Sequence, residues 1–181
     1  MYALLQRLDR LAYAVAPGLA IAALILCSLV PVRVPWLPAI APLLPLMAVY
    51  HFSLTRPEAL PRPALLLLGL AFDLLQGGPG TPIGVSALQF LLMSEVVAAN
   101  RRFVAELSAF FLWFGYAALA AAAVAMAWLA LSGLAATIID PRPALAQYVV
   151  SLFVYPILGW VLGRGPARDP FNPTTGPGGR A

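Results

Sequence analysis

The chain has 181 residues, of which 62% are hydrophobic and 10% are charged, and its formal net charge is +4. Apolar stretches of membrane-spanning length recur along the sequence, so the composition indicates an integral membrane protein and excludes a sizeable soluble catalytic module. The arginines stand singly or in pairs between these stretches, which argues against the basic patch of a protein that binds nucleic acid.

Six apolar segments have the length expected of helices that cross a lipid bilayer. In chain order they cover Ala12–Val32, Trp36–Leu54, Leu60–Gln76, Ile83–Ala99, Val104–Ser132 and Ala144–Leu162. We therefore predict an all-α membrane domain of six transmembrane helices over residues 1–163. A disordered cytoplasmic tail, rich in proline and glycine, is predicted for residues 164–181.

Three prolines distinguish the second segment. Pro38, Pro42 and Pro45 recur along one face of a helix, and each lacks the backbone N–H that a helix interior needs. The spacing predicts a helix that is kinked or partly unwound, packed against a neighbouring span.

The arginines are unequally divided between the two sides that six spans define. One side receives nine of the eleven: Arg7, Arg10, Arg56, Arg62, Arg101, Arg102, Arg164, Arg168 and Arg180. The other side receives only Arg33 and Arg142. Because basic residues accumulate in short cytoplasmic loops, this division predicts that both termini are cytoplasmic.

The stretch GLAFDLLQGGPGTPIG places one acid, Asp73, inside an apolar run near the outer end of the third span. In a functional interpretation, Asp73 contacts ions, protons or another subunit. In the structural interpretation, which we favour, its carboxylate accepts N–H groups of the turn Gly77–Gly80 or pairs with Arg33 or Arg142. After the turn, Thr81 and Pro82 fit the N-cap and first-turn positions of the fourth helix.

Charged side chains gather where the fourth and fifth spans meet the inner surface. Arg101 and Arg102 lie in the connecting loop, and Glu95 lies about one turn inside the fourth span. We expect a charged cytoplasmic corner that anchors both spans. Glu95 needs a neighbour at this depth, and His51, Arg56 or an arginine of its own loop could supply it.

Small residues mark the last two spans. Gly159 and Gly163 stand four residues apart in the sixth, and the fifth contains the alanine-rich stretch Ala117–Ala127. Both patterns favour close approach of helices, either within the chain or with another membrane protein. We expect the lone cysteine, Cys27, to be a buried and inert thiol.

The segment RPEALPRPALLLLGLAFDLLQGGPGTPIGVSAL resembles the central signature of the bacterial rod shape-determining protein MreD family. The resemblance lies in a proline near the inner end of a span, a Gly-Leu pair, an aspartate three residues later, a glycine-rich outer turn and a glycine heading the next helix. In this chain these positions are Pro57, Gly69, Leu70, Asp73, Gly77, Gly84 and Leu88. Chain length and the number of predicted spans are also similar to that family.

The resemblance implies a non-enzymatic scaffold subunit of the cell-wall elongation complex, located in the bacterial cytoplasmic (inner) membrane. The implied partner is MreC, bound through its membrane helix and on the periplasmic side. Through MreC the subunit would be linked to RodA, a penicillin-binding transpeptidase and MreB. Members of the family are also similar, in their six-helix arrangement, to the substrate-binding subunits of energy-coupling-factor vitamin transporters.

Two alternatives remain open. A transporter subunit needs a polar cavity, and the spans offer candidates scattered along the sequence: Asp73, Gln76, Gln89, Ser94, Glu95, Ser108, Gln147 and Ser151. An intramembrane aspartic hydrolase could use Asp73 with Asp140, because both are predicted on the outer side and two carboxyl groups that share a proton can activate water. We favour the scaffold and expect no enzymatic activity, no metal and no cofactor.

Overall fold

The computed structural model describes residues 2–29, 42–77, 82–100 and 109–163. These residues form six α-helices and one short 3-10 helix, and they contain no strand. In chain order the elements are α1 (Tyr2–Ser28), α2 (Leu44–Thr55), the 3-10 helix Pro57–Ala59, α3 (Arg62–Gln76), α4 (Val85–Ala99), α5 (Ala109–Ala135) and α6 (Arg142–Gly163). The predicted all-α fold is confirmed, and each predicted apolar segment corresponds to one α-helix. The predicted tail lies outside the described residues.

Two of the described helices, α5 and α6, are both long enough and apolar enough to cross a membrane. Only 11% of the most apolar stretch of each is buried, whereas the core helix of a soluble protein is mostly buried. Their outward faces are therefore apolar and exposed, which indicates a membrane protein. Helices α2, α3 and α4 have 12 to 15 residues. They extend roughly 18 to 22 Å, less than the roughly 30 Å of a hydrocarbon core.

Helix α2 is the centre of the bundle. Eight of its twelve residues are buried, so it is enclosed on all sides. It contacts α1 and α4 most extensively, and it also touches α5 and α6. The Tyr50 hydroxyl donates a hydrogen bond to the Leu112 carbonyl at 2.9 Å, and the Leu43 N–H donates to the Ser151 hydroxyl at 2.9 Å. These two bonds tie α2 to both long helices.

The prolines of the second segment mark the start of α2. Pro42 precedes the helix, and Pro45 occupies its first turn, where a missing N–H costs no intrahelical bond. Pro38 lies outside the described residues. Of the two predicted alternatives, a kink is not observed between Leu44 and Thr55, whereas the non-helical backbone at Pro42 and Leu43 agrees with a partly unwound segment.

Three tyrosines join α2 to the two long helices. The rings of Tyr116 and Tyr155 stack at 4.3 Å between centroids, and the Tyr50 ring lies 5.6 and 5.7 Å from them. Gly115 makes room for this contact, since a Cβ there would lie 2.9 Å from the Tyr50 hydroxyl oxygen. The α5–α6 pair is thus attached to the rest of the bundle largely through one aromatic cluster.

Gly159 and Cys27 both lie on open surfaces of the bundle. A Cβ added at Gly159 would meet no described atom within 4 Å, so of the two predicted alternatives, contact within the chain is not seen there and contact with another membrane protein stays a prediction. Gly163 ends α6, and Cys27 is exposed on α1 and not buried. Both Gly159 and Cys27 lie on the outward faces of their helices. Because the spans are apolar on all sides, their composition does not show which face points outward.

Candidate functional site

Helices α3 and α4 form a close-packed antiparallel hairpin, and Gly69 is its point of closest approach. A Cβ at Gly69 would lie 2.5 Å from the backbone nitrogen of Ala87, closer than real Cβ contacts. The side chains of Phe72 and Phe90 stack beside this contact with centroids 6.2 Å apart. Glycine at position 69 therefore permits backbone contact that any other residue would prevent.

Asp73 lies one turn beyond Gly69 and caps the start of α4. Its carboxylate accepts a hydrogen bond from the Gly84 N–H at 2.6 Å and from the Ser86 N–H at 3.2 Å. The first N–H groups of a helix have no intrahelical partner, and the positive end of the helix dipole favours a carboxylate there. The expected acceptor role of Asp73 is thus observed, but its donors belong to α4. Of the predicted partners, Gly78–Gly80 and Arg33 lie outside the described residues, and Arg142 lies beside Asp140 instead.

The start of α4 differs from the prediction. The helix begins at Val85, with Gly84 as its N-cap residue at φ 101°, and Pro82 precedes the helix. Thr81 lies outside the described residues. Because the carboxylate of α3 satisfies the first N–H groups of α4, the helix needs no side-chain cap from its own sequence. Glycine accommodates the left-handed backbone at position 84 without strain.

A second polar contact closes the opposite end of the hairpin. The Arg62 guanidinium pairs with the Glu95 carboxylate through two hydrogen bonds, of 2.5 and 3.1 Å, and both side chains are substantially exposed. The predicted neighbours of Glu95, namely His51, Arg56 or a loop arginine, do not include Arg62. The partner follows from geometry: α3 and α4 have 15 residues each, so the first residue of α3 faces the last turns of α4.

The capped start of α4 also borders a cavity of about 480 Å³, which we call the Asp73 cavity. Its walls come from the starts of α2, α4 and α6 and from the ends of α3 and α5. Seven side chains with polar groups line it: Asp73, Gln76, Ser86, Gln89, Trp128, Asp140 and Gln147. The volume is within the range of small-molecule sites, which are mostly apolar with a few convergent polar groups.

The helix ends that form this wall show in which direction five helices run relative to one another. The starts of α2, α4 and α6 and the ends of α3 and α5 meet at one end of the bundle. Consecutive helices from α2 to α6 therefore run in alternating directions, as an up-and-down arrangement requires.

Four of the polar residues that appear scattered in the sequence come together here: Asp73, Gln76, Gln89 and Gln147. Alternating helix directions bring these segments, which are distant in the sequence, to one end of the bundle. Of the other candidates, Ser94 bonds to its own helix through the Leu91 carbonyl, and Ser151 is buried in the contact with α2. Ser108, Arg101 and Arg102 lie outside the described residues.

Trp128 is the lining residue that the sequence analysis missed. Its indole N–H donates to the Ile139 carbonyl at 2.9 Å, which holds the ring over the loop between α5 and α6. One signal in the sequence could have identified it. Trp128 lies in the last two turns of a long apolar helix, twelve residues before Asp140. An aromatic ring with a polar edge suits the interface between apolar and polar surroundings.

A narrow cleft extends from the cavity between α4 and α5. It has a volume of about 190 Å³ and is lined by Gln89 and by seven apolar residues, among them Leu92, Leu119 and Met126. The cavity and the cleft share Gln89 and Ala123, whose side-chain N–H and carbonyl form a hydrogen bond of 2.8 Å. Apart from this bond, α4 and α5 are loosely packed together.

Asp73 and Asp140 both border the cavity, but each carboxylate is held separately. Asp73 accepts the N–H groups of α4, whereas Asp140 accepts the Arg142 N–H at 3.0 Å at the start of α6. A dyad that shares a proton needs its carboxyl groups bonded to each other. Among the described residues, no group of three His, Cys, Asp or Glu side chains converges as metal ligands would.

Comparison of the chain with protein-family models, with curated proteins and with solved structures finds no match.

Proposed function

We propose that this protein is a non-enzymatic scaffold subunit of the cell-wall elongation complex, which binds MreC and helps to maintain rod cell shape. The observation that carries the proposal concerns the segment that resembles the MreD signature. Its Gly69, Asp73 and Gly84 are the residues that hold α3 against α4. A signature made of hairpin-forming residues suits a protein that presents a shaped surface to partners better than one that carries out a reaction.

The outward faces of the long helices support the same proposal. Phe153 and Trp160 of α6 and Phe110 of α5 are 60 to 72% exposed. In a bilayer these faces contact lipid or the membrane helices of other subunits, and aromatic side chains contribute strongly to such contacts. We propose MreC as the direct partner, with RodA, a penicillin-binding transpeptidase and MreB reached through it.

The proposed location is the bacterial cytoplasmic membrane, crossed six times with both termini in the cytoplasm. The alternating directions of α2 to α6 support this topology, and so does the unequal division of the arginines. The short helices α2 to α4 fit this topology if the bilayer thins around them or residues at their ends complete the spans. Cysteine labelling of both termini in intact and permeabilised cells tests the topology, and termini in opposite compartments would overturn it.

The scaffold proposal is tested by depletion and by affinity purification. Depletion should convert rods into swelling spheres, and purification from membranes should recover a single-span protein with a large periplasmic part. Gly69→Leu, which separates α3 from α4, should abolish this recovery, whereas Gly18→Leu, at a position of α1 with open space around it, serves as the matched control for bulk. Normal rods after depletion, or purification of cytoplasmic ATPases alone, would overturn the proposal.

The Asp73 cavity favours a second candidate function, namely that of a membrane subunit that binds a small molecule. The four polar residues that the fold gathers there are the specific observation in its favour. Binding studies separate the two candidates, since a scaffold without a ligand shows no saturable binding of small molecules.

A further inference from the structure

We propose that the Asp73 cavity and the adjoining α4–α5 cleft together bind a single-chain amphiphile with an ammonium head group. This inference rests on the second candidate function above, and it names the chemical class of the ligand. Three observations carry it: the contact of the cavity with the cleft at Gln89 and Ala123, the change from polar to apolar lining between them, and the charge of the described cavity wall.

The cleft is the place for the tail. It adjoins the cavity at Gln89 and Ala123 and occupies the space between α4 and α5, where every other described lining side chain is apolar. A compact polar ligand would fill the cavity and leave the cleft empty. An alkyl chain in the cleft would cover the apolar side chains that line it. Covering apolar surface is favourable in proportion to the area covered. The elongated shape of the combined space thus indicates a ligand with a tail.

The cavity is the place for the head. Among the described residues, both charged side chains that line it, Asp73 and Asp140, are acids, and none is basic. The nearest described cation is Arg142, whose guanidinium lies 4.0 Å from Asp140 with its side chain 90% exposed. The Trp128 ring, also in the wall, offers a face to a cation. These charges attract an ammonium group and disfavour a phosphate.

The two carboxylates retain capacity for such a head. The Gly84 N–H bonds to Oδ2 of Asp73 at 2.6 Å, while from the described residues Oδ1 accepts a long bond of 3.3 Å from Ser86. A carboxylate has about four acceptor positions, so the cap of α4 does not exhaust them. Asp73 can therefore hold the hairpin and face a ligand at the same time.

The test compares two probes with the same chain, dodecylamine and dodecyl phosphate. Each is titrated into the purified full-length protein in dodecyl maltoside, a detergent with an uncharged head. Native mass spectrometry counts bound molecules, and thermal unfolding measures affinity. We expect saturable binding of one dodecylamine, about tenfold tighter than dodecyl phosphate, and about tenfold weaker in Asp140→Asn.

Two variants of α5 locate the site. Ala127 lines the cavity, whereas Ala125, two residues away on the same helix, is exposed and lines neither space. Ala127→Trp should abolish dodecylamine binding, and Ala125→Trp should leave it unchanged. Tighter binding of dodecyl phosphate would overturn the ammonium head while the second candidate function stood. Non-saturable uptake of both probes by every variant would overturn both.

Discussion

Replacing Asp73 by alanine measures how much one carboxylate stabilises the hairpin of α3 and α4. The change removes the acceptor of a short bond from Gly84 and of longer bonds from Ser86. Bonds to a charged group contribute about 1.5–3 kcal/mol each, and loss of an N-cap costs about 0.5–2 kcal/mol. Because only the Gly84 bond is short and water reaches this half-buried site, we expect Asp73→Ala to lower the free energy of unfolding by about 2 kcal/mol.

Asp140→Ala is the matched control. Asp140 also accepts a backbone N–H at a helix start, but through one bond of 3.0 Å and with its side chain 60% exposed. Its removal should cost about 0.5 kcal/mol, and Asp73→Asn should fall between the two changes, since an amide oxygen keeps one neutral acceptor. Unfolding of the purified variants in mixed micelles of neutral detergent and dodecyl sulfate gives the three values. Equal losses for Asp73→Ala and Asp140→Ala would refute the capping role.

Three further changes test the same hairpin. Gly69→Ala should lower the free energy of unfolding by about 1–3 kcal/mol, because the added methyl group meets backbone atoms of α4. Gly159→Ala, the control, should be neutral or slightly stabilising. Equal thermal midpoints for the two variants would contradict this prediction. Gly84→Ala should cost about 1 kcal/mol through its left-handed backbone despite open space around it, and an unchanged unfolding curve would argue against that strain. Arg62→Glu and Glu95→Arg should each lower the thermal midpoint slightly, while the double exchange restores it; failure to restore would show that the pair contributes nothing.

The all-α class and the approximate positions of the described helices could be predicted because a long apolar run is a local property of the sequence. Helix ends were less predictable where contacts outside the segment determine them. The start of α4 is an example: its N–H groups are satisfied by Asp73 of another helix, so no capping residue marks the start in the local sequence. Likewise, Pro42 and Pro45 signal the beginning of α2 as readily as a kink within it, and periodicity alone does not decide between them.

The candidate site was predictable residue by residue but not as an assembly. Asp73 stood out because an acid in an apolar run needs a partner. Its grouping with Gln147, over 70 positions away, follows only once the helices are known to alternate in direction. Glu95 illustrates the same limit, since Arg62 becomes its partner through the equal lengths of α3 and α4. Which side chains of two helices meet depends on the lengths of both helices and on their relative direction. The sequence of one segment alone does not give this information.

An acid within an apolar segment is usually assigned either a structural or a functional role, but the geometry of Asp73 allows both. A cap requires one oxygen directed at the first N–H groups of α4, which fixes the carboxylate at the end of the hairpin. That end is also where three helix starts and two helix ends surround an open space. Asp73 is held by the cap and also borders this space, so the residue that stabilises α3 against α4 also contributes negative charge to the site. Loss of stability in Asp73 variants consequently does not argue against a ligand. Asp140 borders the cavity but contributes little to the hairpin of α3 and α4, so replacing Asp140 tests ligand binding with little effect on that hairpin.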